Sequence, residues 1–199
     1  NKNIDTGMGF ERIVYIIQNA PTNFETDLFM PIIRQLEEIT GQPYDGHPEN
    51  QVSFKVIADH IRAVTFAIAD GALPSNEGRG YVLRRLIRRS IMHANILVLY
   101  HPFLKDLVPT IGEMMGDFYP ILLEQQEFVQ RVLESEEARF HETIEEGMKH
   151  LENIFDNLQE NNEQTISGED AFLLYDTYGF PIELTEEFAE EKGLKVDID

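Results

Sequence analysis

Between Ile121 and Leu158 the apolar residues fall at 122, 129, 132, 133, 140, 144, 148, 151, 155 and 158. This three-four rhythm, introduced by Pro120, is the signature of one face of a single long α-helix. At 1.5 Å per residue such a rod would span about 55 Å. It makes a mainly α, helical bundle-like fold with one long helix the expected architecture. The other face of the rod is rich in Glu, which reads as a solvated surface.

The stretch from Asn76 to Arg89 runs against the rest of the chain. It holds five arginines and one acid in a protein with a formal net charge of −20. Leu83, Leu86, Ile87 and Ile91 repeat at three and four residues and form a buried face. The arginines take the opposite side. Arg84 with Arg88, and Arg85 with Arg89, are like-charged pairs one turn apart, each costing an isolated helix about 0.2–0.5 kcal/mol. Two neutralisers are open: the 36 carboxylates of the chain itself, or a row of phosphates, which arginine binds in a bidentate fork. The overall acidity does not exclude the second, because a Debye length of about 8 Å screens carboxylates on a distant face.

With 199 residues the chain is one large domain or two small ones. The absence of cysteine excludes disulfides and thiolate metal sites. The six histidines never take a metal-ligand spacing and read as structural or surface groups, so no metal is expected. No apolar run approaches the ~20 residues that cross a bilayer, and a soluble, cytoplasmic protein without membrane or DNA partners is expected. The chain opens on Asn1 ahead of an apolar-alternating segment, as a piece of a longer polypeptide would.

Along the chain, residues 3–9 read as a short strand whose glycines allow close backbone approach, and Phe10 to Gln18 as a helix. Asn23 to Thr40 is an amphipathic helix closed by Gly41, and Ser53 to Ala69 is a helix apolar on more than one face. In the latter Asp59, His60 and Arg62 are the polar exceptions and should form a structural hydrogen-bond set. Residues 70–80 make a polar turn, Pro102 to Met115 a further helix, and 160–165 a connector. Ser167 with Asp170 three residues on is a helix cap, and a last acidic helix over Thr185 to Lys192 ends at Gly193.

Four motifs carry a resemblance to a known family. Gly7-Met8-Gly9-Phe10-Glu11-Arg12 fails the dinucleotide fingerprint, since position 12 is Arg, but resembles motif 3 of the class II aminoacyl-tRNA synthetases. Ala58-Asp59-His60-Ile61-Arg62-Ala63, then Leu73-Pro74-Ser75-Asn76-Glu77-Gly78-Arg79-Gly80 and Leu174-Tyr175-Asp176-Thr177-Tyr178-Gly179-Phe180-Pro181, are similar to the middle region of the alanyl-tRNA synthetases. At 97–101, where that family usually turns through a glycine, this chain has Leu97-Val98-Leu99-Tyr100-His101.

The resemblance implies a parent enzyme that attaches alanine to its tRNA with ATP and Mg2+. Asp5 would hold the substrate ammonium, Gly7 and Gly9 would floor the pocket, and Arg12 would meet phosphate. Class II motifs 1 and 2 are missing, so the chain alone should be inactive, with no catalytic residue of its own and no cofactor. It should keep the reader of the tRNA acceptor stem and its G·U wobble pair, with Asn76 and Asp176 on the bases and Arg79, Arg84, Arg85, Arg88 and Arg89 on the backbone. The implied division is a catalytic-core remnant over 1–20, a helical recognition domain over 21–192, and the start of a downstream linker over 193–199. The competing readings are a helical protein-interaction module and a synthetase-like paralogue without alanine-tRNA specificity.

Overall fold

A computed structural model describes residues 7–197. The expected strand over 3–9 lies mostly outside them, and α1, Phe10–Ile17, begins where the helix was expected. α2 runs over Met30–Thr40, later than its periodicity implied, because Pro31 is tolerated only in a first helical turn. Residues 23–25 make a separate 3-10 turn capped by the Thr22 hydroxyl. Gly41, at φ 66°, closes α2 as expected.

α3, Pro48–Ala69, starts five residues early for the same reason, with Pro48 in its first turn. α4, Gly78–Ile96, is the arginine helix; Leu83, Ile87 and Ile91 are buried and Leu86 half-buried. α5, Leu104–Met115, contains Pro109, which leaves the carbonyl of Lys105 without its helical donor. The side-chain amide of Gln130 donates to that carbonyl at 3.1 Å.

The expected rod is a short α6, Ile121–Glu124, followed by α7, Gln126–Asn161, whose 36 residues span about 54 Å. Helices α3, α4, α5 and α6 all pack on α7. Its Glu-rich side is not uniformly solvated: Glu136 is 8% exposed and Glu137 fully buried. Both fall in register with Val129, Leu133 and Phe140, where the neighbouring elements supply polar partners in place of apolar ones.

After α7, Thr165–Ile166 (β1) pairs in parallel with Lys195–Val196 (β2). Between them lie α8, Gly168–Asp176, and α9, Ile182–Glu191. Ser167 caps α8 as expected, accepting from the Asp170 amide at 3.1 Å. Phe54, Phe103, Phe140 and Phe180 are the largest fully buried side chains of a continuous core. Among the described residues no helix is long and apolar enough to cross a membrane.

Candidate functional site

An open cleft of about 390 Å³ lies between the start of α4, the middle of α7 and the turn that joins α8 to α9. Asn76 and Asp176 both line it, and both are exposed. Two separate pieces of backbone engineering bring them there.

Asn76 sits in the turn ahead of α4. Gly80 lets that turn fold back on the helix: a Cβ at this position would come within 2.5 Å of the Leu73 carbonyl oxygen. Ser75 Oγ donates to the Glu77 carbonyl at 2.9 Å and tightens the same loop. The side-chain oxygen of Asn76 accepts from Nη1 of Arg84. A guanidinium has only donors, so the amide must turn its oxygen inward and keep both N–H groups for the cleft.

Asp176 is the last residue of α8, and its carboxylate has no hydrogen-bond partner among the described residues. The turn behind it is pinned to α4 and α7. Thr143 Oγ1 donates to the Tyr178 carbonyl at 2.9 Å, and Arg88 donates to the Gly179 carbonyl. Gly179 adopts φ 71°, which favours glycine, and lies so close to the Arg88 guanidinium that a side chain would push it off the carbonyl. Phe180 then enters the core against Phe140, ring centroids 5.8 Å apart.

The arginines of α4 are engaged one by one. Arg84 forks onto Glu136, Nε to Oε2 at 2.9 Å and Nη2 to Oε1 at 2.8 Å. Arg85 meets Glu183 at 2.5 Å. Arg88 lies 5.0 Å over the Phe140 ring, and its burial lowers its pKa. Arg89 forks onto Glu187 at 2.8 Å and donates to His60 Nε2 at 3.1 Å. Arg79 is exposed, with no ion-pair partner among the described residues. The chain's own carboxylates therefore neutralise much of the ridge.

The same contacts build the hydrogen-bond set expected around α3. His60 Nε2 accepts from Arg89, so Nδ1 carries the proton and donates to Asp59 at 3.1 Å. That bond holds the Asp59 carboxyl below its usual range. The His93 ring, 3.6 Å from its carboxylate, and the Arg89 fork together outweigh burial and take Glu187 down to about 2. Arg62 reaches Glu11 at 2.5 Å and stacks on Phe29, tying α1 to α3.

A family model described as tRNA synthetases class II (A) matches residues 1–199. The chain belongs to that family. It is 63% identical to an alanine–tRNA ligase of Listeria innocua over 98% of this chain, and 62% identical to one of Halalkalibacterium halodurans over 100% of it. It is 59% identical to that of Geobacillus kaustophilus over 98% of this chain. In each case it spans 22% of the relative's length.

In this class II synthetase chain the residues suggested for the alanine and ATP pocket are described only in part. Asp5 is outside the described residues, and Gly7, Gly9 and Arg12 are exposed at the start of α1. Reading the sequence missed two side chains that line the cleft, Thr143 and Arg139, and one that stands behind it, Glu136. Glu136 supports Arg84, Thr143 anchors the Tyr178 carbonyl, and Arg139, 68% exposed, stands at the rim 3.8 Å from Glu136. The available signal was an acid in the apolar register of α7, downstream of five arginines in need of partners.

Proposed function

We propose that this chain is the part of an alanine–tRNA ligase that reads the acceptor stem and its G·U wobble pair. One observation carries the reading: Asn76 and Asp176, far apart in sequence, line one open cleft and offer it opposite chemistry. Asp176 presents an acceptor to the guanine 2-amino group, the donor that marks guanine in the minor groove, while the outward Asn76 amide donates to uracil O4. The shallow minor groove of A-form RNA is open to such contacts, and the major-groove edge becomes reachable near a helix end.

Backbone contacts position without specifying. Arg79, and Arg139 beside it in this role, are the exposed cations best placed to meet phosphate; Arg84, Arg85, Arg88 and Arg89 shape the cleft's potential while holding their internal partners. Residues 1–20 belong to the catalytic core of the parent and 21–192 to the recognition domain, while 193–199, whose β2 still pairs with β1, lead into a downstream linker. In that parent, a cytoplasmic ligase using ATP and Mg2+, Asp5, Gly7, Gly9 and Arg12 contribute to the alanine and ATP pocket. Exposed Arg12 suits a phosphate contact, whereas no carboxylate cluster able to hold a metal occurs among the described residues. The isolated chain is expected to show no ATP-dependent alanyl transfer.

The test is a titration with acceptor-stem hairpins carrying G·U or G·C. Asn76→Ala and Asp176→Ala should each weaken G·U binding by roughly 1–3 kcal/mol and G·C binding little. Equal losses on both stems would make these residues supports of the fold. A helical module that binds proteins would show no preference at all.

A further inference from the structure

We propose that Glu136 is a positioning residue for base selection: through Arg84 it locks the Asn76 amide with its N–H groups outward, so that the cleft takes a base carbonyl and refuses a base amine. This rests on the stem-reading account of the cleft.

A side-chain amide in an exposed turn has two nearly isosteric orientations that exchange donor for acceptor. An amide free to flip would donate to the O4 of uracil in one orientation and accept from the 4-amino group of cytosine in the other. It could not tell G·U from G·C at that edge. Arg84 removes the second orientation, since a flipped amide would set N–H against N–H of a cation.

Arg84 can do this only if it is itself held. Its guanidinium uses Nη1 on Asn76 and both Nε and Nη2 on Glu136, at 2.9 and 2.8 Å. The Arg84 and Glu136 side chains are 15% and 9% exposed, so the fork is shielded from water and its planar geometry fixes where Nη1 points. Glu136 stands in the buried register of α7, the helix on which α3, α4, α5, α6 and α8 pack. The amide of an exposed loop residue is thereby referenced to the longest helix of the fold. Its donors serve the cleft and not a phosphate.

Glu136→Gln keeps the shape of the fork but removes its charge. The expected result with the whole chain is that the preference for a G·U over a G·C hairpin falls about tenfold, partly because G·C binding improves, with helix content unchanged. Adding Asn76→Ala to Glu136→Gln should lower the preference no further, since both act on one contact. Arg84→Lys, which cannot bridge both partners, should behave as Glu136→Gln does and serves if that variant folds poorly. An unchanged preference in Glu136→Gln and Arg84→Lys, with Asn76→Ala still abolishing it, overturns the proposal. So does an equal loss on both hairpins. If Asn76→Ala itself leaves the preference intact, the stem-reading account fails first.

Discussion

Val98 carries the sharpest conflict between a residue and its backbone. It lies in the left-handed region at φ 62°, and the Leu99 amide bonds back to the Ala94 carbonyl at 2.9 Å in the manner of a glycine-closed helix end. A turn that favours glycine is thus made here by a β-branched residue, at about 1–2 kcal/mol of strain. Allowing for the flexibility glycine adds to the unfolded chain, Val98→Gly should stabilise by about 0.5–1 kcal/mol and raise the melting temperature by roughly 2 °C. A thermal melt followed by circular dichroism checks this. Glu187 sets a second expectation. Its folded pKa near 2 lies below the usual 4.5, so its ionised form contributes stability that is present above pH 4.5 and lost as the pH falls through 2. Glu187→Gln should flatten the acid limb of stability in that window, read from urea unfolding at successive pH values. Both residues were visible in the sequence, Val98 as a departure and Glu187 only as one more surface acid. The partners that change its meaning, His93 and Arg89, are remote in sequence.

At the scale of elements, periodicity located nearly every helix, and proline chemistry decided where α2 and α3 begin. What periodicity could not separate was a solvated glutamate from a buried one. Glu137 caps α5 from another helix, accepting the Phe103 and Leu104 amides at 3.0 and 3.1 Å. Glu137→Ala should leave two buried donors unpaired at the positive end of α5 and cost about 2–4 kcal/mol, measured by denaturant unfolding. Gln130 makes a similar repair at Pro109. Such contacts join the side chain of one helix to the backbone of another, and no spacing within either helix announces them. The pairing of β1 with β2 escaped for a related reason, because two-residue strands have no periodicity to detect.

For the molecule as a whole, the acidity is partly structural. Carboxylates of α7 and α9 occupy Arg84, Arg85 and Arg89. The proposed affinity for a phosphate backbone therefore falls on few exposed cations, and Arg79→Ala should weaken G·U and G·C hairpins alike and reduce the salt slope by about 1. The motifs around Asn76 and Asp176 were legible in the sequence; their convergence depends on Gly80, Gly179 and the anchors on α7. The most direct measurement replaces the guanosine of the wobble pair with inosine, which lacks only the 2-amino group, and compares hairpin affinities for the native chain and Asp176→Ala. The account predicts that inosine weakens binding to the native chain at least several-fold and leaves binding to Asp176→Ala unchanged. The same penalty in both proteins would contradict it.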